Sequence, residues 1–208
     1  MHVGEGPDPP PLTFNNIPAK FSSRFTYLSS TITQTGGLKP EIDRRRGLAA
    51  GTMQALWRPL WRHRAISRKT KLRVYNASVL SVLLYRSETW PLNKTLEARF
   101  DGFDSRTLRT IEGIHWTQHV TNQEVRQPSQ QTALSPRCSA THTWYGYVQR
   151  LPQDNPTHAI LNFNPRMAGW RRPRGAPRTR WLDVVARDLR DYGITLADAE
   201  QYAQDRPR

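Results

Sequence analysis

The chain reads as a mainly α-helical protein with a short N-terminal β element, and three observations predict this. Apolar residues recur at helical spacing over most of residues 40–202, cap residues stand at the ends of those stretches, and one β-rich run precedes them. At 208 residues and 37% apolar, the chain can bury a real core.

Taken in order, residues 1–19 hold Pro7, Pro9, Pro10, Pro11 and Pro18, and are expected to be a disordered lead-in. Phe25, Tyr27, Ser30, Thr31, Ile32 and Thr33 suit a strand or hairpin arm, broken by Gly36-Gly37. From Pro40 the period becomes helical, with Ile42, Ala49, Met53, Leu56 and Leu60 on one side and a break near Pro59. Ser67 is a good N-cap for a second helix carrying Leu72, Tyr75, Val79, Val82 and Leu83. Val74, Leu80 and Leu84 widen that stripe, so its second half is expected to be buried on nearly all sides.

Asn93 and Gly113 bracket a third helix with Leu96, Phe100, Phe103, Leu108 and Ile111 inward. Thr121 and Glu124 have capping-box spacing. The polar stretch that follows is read as a linker at 127–140. It separates a unit at 20–126 from a C-terminal unit at 141–208. Within the latter lie a Trp144-Tyr145-Gly146-Tyr147-Val148 cluster, an Asn/Pro-rich stretch at 152–165 and an Arg/Pro/Gly arm at 166–180. Trp181, Val184, Val185, Leu189 and Tyr192 then mark a helix, Gly193 ends it, and Thr195 caps a last one.

Charge narrows the function. Lys and Arg number 31 against 17 Asp and Glu, a formal charge of +14, and 26 of the 31 are Arg. Arg matches phosphate with a flat fork and stacks on bases, so the expected partner is nucleic acid, RNA or DNA or their hybrid. Two concentrations stand out. Residues 44–73 hold ten Lys or Arg and no acid, interleaved with Trp57 and Trp61; residues 166–180 hold six Arg and no acid, beside Trp170 and Trp181. The candidate phosphate contacts are Arg44, Arg45, Arg46, Arg68, Lys69, Lys71 and Arg73 in the first, and Arg171, Arg172, Arg174, Arg178 and Arg180 in the second.

Other chemistries fit poorly. A single cysteine excludes an internal disulfide, and no apolar run approaches the roughly 20 residues that span a bilayer, so neither a membrane nor an oxidising compartment is expected. His115/His119 and Cys138/His142 have helical ligand spacing, but read as ordinary histidines. No Gly-x-Ser-x-Gly elbow or phosphate-binding glycine loop occurs, and Asp183, Asp188 and Asp191 read as intrahelical ion pairs rather than metal ligands. No metal, cofactor or small-molecule substrate is expected.

Several stretches together resemble the C-terminal third of the endonuclease/reverse-transcriptase protein of non-LTR (LINE-type) retrotransposons. They are Phe25–Thr33, Ile66–Tyr75, Val79–Trp90, Leu108–Ile114 with His119–Asn122, Trp144–Arg150 and Arg172–Asp183, in that family's order, so that the resemblance runs from about residue 21 to the end. It implies a strand at the end of the palm followed by a thumb and connector that grip a template-primer duplex. It also implies that the catalytic Asp-Asp motif and its Mg²⁺ lie upstream, and no Tyr-x-Asp-Asp or Phe-x-Asp-Asp occurs here. The chain is therefore expected not to polymerise alone, to have the rest of a reverse transcriptase as a further partner, and to be intracellular, with nuclear residence suggested by its basic runs. Ser29, Arg86-Ser87, Tyr147 and Ala176 depart from the family's usual Gly, Gly-Cys, His and Arg. Arg86, replacing Gly at the end of a buried helix, is expected to clash or stand unpaired. The rival reading is a helical protein-interaction module whose Leu72–Leu84 stripe packs on the missing palm, or a non-functional translated relic that needs that palm to fold.

Overall fold

A computed structural model describes residues 12–20, 22–34, 36–127, 138–163 and 179–205. The architecture is mainly α with a short N-terminal β element. Two antiparallel hairpins come first, β1 (Thr13–Phe14) with β2 (Ile17–Pro18) and β3 (Arg24–Tyr27) with β4 (Ser30–Thr33). Residues 12–19 thus form a hairpin where a structureless lead-in was expected. Its two-residue turn, Asn15-Asn16, has φ of 49° and 60°, the left-handed pair that matches strand twist and that Asn tolerates best after Gly. Residues 1–11 lie outside the described set.

Helix α1 (Lys39–Ala55) has Pro40 in its first turn. It does not simply stop at Pro59. Lacking an N–H, Pro59 cannot complete an α-helical turn, and the backbone widens into a π-helical turn, Trp57–Trp61, in which the Trp61 N–H reaches Leu56 O and the Arg62 N–H reaches Trp57 O. Ser67 caps α2 (Arg68–Val74) by accepting from the Thr70 N–H, and a second π-helical segment, Tyr75–Leu80, leads into α3 (Ser81–Leu83). This stretch is not buried all round: Tyr75, Val79, Leu80 and Leu83 are buried, whereas Asn76, Ala77 and Ser81 face solvent.

Helix α4 (Lys94–Glu112) is capped by Asn93 and ended by Gly113 at φ 69°, where a Cβ would be strained. Thr121 and Glu124 form the reciprocal capping box of α5 (Asn122–Arg126). Two C-terminal helices were not anticipated, α6 (Cys138–Gln149) and α7 (Pro156–Leu161); α8 (Trp181–Asp191) and α9 (Leu196–Gln204) were. Most of the expected 127–140 linker lies outside the described residues.

The main core joins α1, the helical stretch 68–83, α4 and α5 through Ile42, Tyr75, Leu80, Leu83, Phe100 and Leu108, with Trp90 stacked on Phe100 at 5.6 Å. Each such buried side chain contributes about 1.5–3 kcal/mol. The inner side of the Leu72–Leu84 stripe is therefore packed against the chain's own helices, with Leu72, Val74, Val82 and Leu84 partly buried at its margin. A buried polar network runs beneath it: the Tyr75 hydroxyl donates to Asp104 at 2.7 Å, and Arg126 donates to Asp104 at 3.2 Å. A second, smaller core holds Tyr145, Val185 and Leu189. It is tied to the first by the Trp181 Nε1–H donating to Glu88 O at 2.7 Å and by an Arg187–Glu97 ion pair at 2.6 Å.

Candidate nucleic-acid interface

The basic residues divide sharply once their partners are named. Arg45 is internal: only 4% exposed, it donates to the Glu41 carboxylate at 2.7 Å and to Ser29 O, and its guanidinium lies 4.5 Å from the centre of the Tyr85 ring. Glu41, 2% exposed, also accepts from the Thr31 N–H at 2.7 Å. Burial would raise the Glu41 carboxyl, but Arg45 and Thr31 outweigh it and hold it below the usual range. This pair fastens the β3–β4 turn to α1. Arg44, half-buried, donates to the same Ser29 carbonyl at 3.0 Å, and Arg46 leans on Asp43 at 3.5 Å along the opposite flank of α1. The run 44–46 is thus distributed around a helix rather than gathered on one surface.

Further along, the cations reach solvent. Residues 57–73 carry seven Lys or Arg and no acid. Of these, Arg58, Arg62, Arg64, Lys69 and Arg73 are exposed, with no hydrogen-bond or ion-pair partner among the described residues. Arg68 is exposed but reaches back to Glu112 at 2.7 Å on α4, and Lys71 donates to Trp61 O at 2.9 Å. These two anchor α2 beside the π-helical turn, so the halves of the cluster stay adjacent. Trp61 is buried with its Nε1–H on Met53 O at 3.0 Å, whereas Trp57 is 39% exposed. The result is a helical ridge, residues 57–73, carrying five exposed cations without partners among the described residues and one partly exposed indole at its edge.

Of the predicted contacts, Lys69 and Arg73 stand free on the ridge, and Arg68 and Lys71 are its anchors. Arg58, Arg62 and Arg64 belong with them; the acid-free run contained them, and pairing was what separated them from Arg45. Arg171, Arg172, Arg174 and Arg178 lie outside the described residues. Arg180 is exposed and grips Asp183 with Nε at 3.3 Å and Nη2 at 3.0 Å, capping α8; this contact holds the Asp183 carboxyl below its ordinary range.

Elsewhere, Trp144 and Tyr147 stack at 5.3 Å on the surface of α6, 42% and 48% exposed. Among the described residues, no three His, Cys, Asp or Glu side chains converge as metal ligands would, and no helix is long and apolar enough to cross a membrane. Cys138 falls outside the described side chains.

Residues 55–85, from the π-helical turn through α3, match the model of a family described as a domain of unknown function (DUF6451). The chain is also similar to an uncharacterized transposon-derived protein of Caenorhabditis elegans, 26% identical over 181 residues. That match covers 85% of this chain and 62% of the relative, so the chain spans less than two thirds of its relative's length. No solved structure matches.

Proposed function

We propose that the chain binds nucleic acid without sequence preference, through the phosphate backbone, using Arg58, Arg62, Arg64, Lys69 and Arg73. One observation carries the reading: five exposed cations without acidic partners among the described residues are held on a short helical ridge whose own anchors, Arg68 and Lys71, are bonded to Glu112 and to Trp61 O. Such an array repels itself until an anion is bound, and each phosphate neutralised releases counterions. Arg180 and the Arg-rich segment before it would add a second contact.

The similarity to a transposon-derived protein supports placing this binding in a mobile element. The finer assignment is a thumb- and connector-like portion of a non-LTR reverse transcriptase that holds template-primer, acts in the nucleus and itself performs no catalysis. In that role Mg²⁺ belongs to a palm carrying the Asp-Asp motif, which this sequence lacks.

The test is binding of the purified chain to RNA–DNA hybrid, duplex DNA and single-stranded RNA, each in two unrelated sequences, followed by incubation with a primed template, nucleotides and Mg²⁺. Affinities that differ little between sequences, without extension, support the proposal. A marked sequence preference, an absence of binding, or primer extension would overturn it.

A further inference from the structure

The ridge leaves an adjoining feature unused, an open groove of about 570 Å³ between α1 and α4. This volume lies within the range of small-ligand sites. Arg46 and Asp43 stand on the α1 wall and Arg106 on the α4 wall, Met53 and Phe103 also line the groove, and Gln54 and Trp57 lie at the end of α1 toward the ridge. Arg106 is exposed and has no partner among the described residues.

Arg46 is poorly satisfied. Its Nε–H is buried without an acceptor, and its only ion pair is the 3.5 Å contact with Asp43. That carboxylate is better held by Arg99, at 3.0 Å. Buried donors rarely go without an acceptor, so Arg46, whose pair with Asp43 at the groove's rim is long, has a donor left to give. At the other end, Trp57, 39% exposed, stands next to Arg58, the first cation of the ridge, and Gln54 carries both an amide donor and an acceptor. Two guanidiniums for a phosphate, an indole for a base and an amide for its edge are together the recognition set of a nucleotide.

We infer that this groove accepts one unpaired nucleotide of the strand held by the ridge, its phosphate between Arg46 and Arg106 and its base on Trp57. The inference rests on the ridge reading for the strand, and its test separates the two. Wild type, Arg106→Ala and Trp57→Leu are titrated with a blunt duplex and with the same duplex carrying a short single-stranded overhang with 2-aminopurine, and with AMP alone.

The overhang should strengthen wild-type binding about fivefold or more and quench 2-aminopurine. Both variants should lose that gain, and Arg106→Ala, which lies off the ridge, should bind the blunt duplex within about twofold of wild type. Blunt binding without any gain from the overhang overturns the groove assignment and leaves the ridge intact. Binding of AMP that depends on Arg106, without an overhang gain, places a free nucleotide in the groove and also overturns the strand assignment. Loss of the blunt complex alone, with the overhang and AMP still bound through Arg106 and Trp57, counts against the ridge and supports the groove.

Discussion

Replacing Arg45 by Ala separates a structural arginine from a binding one. The substitution leaves the Glu41 carboxylate, 2% exposed, with the Thr31 N–H as its remaining close donor. Breaking a buried pair from one side costs about 3–5 kcal/mol, and the surviving Thr31 bond puts this case near the low end, at about 3 kcal/mol. For a chain of this size that corresponds to a fall in Tm of about 6–12 °C.

The pH dependence adds a second signature. In the wild type the Glu41 carboxyl lies below its ordinary value of 4.5, so its contribution is present above that value and is lost as pH falls through the folded one. Without Arg45, burial dominates, the folded value rises above the unfolded one, and the residue's contribution weakens as pH rises between them. Urea unfolding across pH 3–7 reads both effects, and Glu41→Leu/Arg45→Met should recover most of the stability. An Arg45→Ala variant with wild-type stability, and a nucleic-acid salt slope lowered by about one unit, would refute the internal assignment.

Three further outcomes follow from the same geometry. Arg86 holds φ 61°, a left-handed conformation that costs a side-chain-bearing residue about 1–2 kcal/mol; Arg86→Gly should raise stability by about 0.5–1 kcal/mol in thermal unfolding, and Arg86→Ala should not. Burial lifts the Asp104 carboxyl above its ordinary value of 3.8, against the pull of Tyr75 and Arg126. The folded state then holds that proton more tightly than the unfolded one, and its contribution to stability declines as pH rises from about 3.8. The stability difference between wild type and Asp104→Asn, measured by urea titration, should move with pH in that sense. Trp181→Phe removes the donor to Glu88 O, should cost about 1 kcal/mol, and should speed amide exchange in α8.

Local signals carried the legible part of the fold. Asn93, Gly113, Ser67, the Thr121/Glu124 pair and Thr195 each act within one helical turn, so their geometry follows from the residues themselves. Helix α6 escaped because His, Thr, Trp, Tyr and Gly are weak helix formers, and Tyr145 and Val148 become buried only through packing against distant residues. Helix α7 carried a readable sign: Asn155 caps it and Pro156 opens it, the pairing of a cap residue with proline at the first helical position.

The same distinction governs the interface. An acid-free run of cations was visible, but which of them are neutralised depends on Glu41, four residues before Arg45, and on Glu112, far along the chain from Arg68. The first was open to an i,i+4 reading and the second was not. Arg86 shows the reverse: its departure from the glycine of the resembled family falls on a left-handed backbone position at φ 61°, as does that of Ser29 at φ 60°, a conformation that glycine adopts at least cost.

The most direct measurement compares the salt dependence of duplex binding for wild type and the Arg62→Ala/Arg64→Ala/Arg73→Ala variant. The five ridge contacts contribute about −4.5 to the wild-type log–log slope, to which the Arg180 segment adds, and the three substitutions should flatten it by about 2.5–3, with unfolding unchanged because none of the three has a partner to lose among the described residues. A variant that keeps the wild-type slope would contradict the ridge as the binding surface.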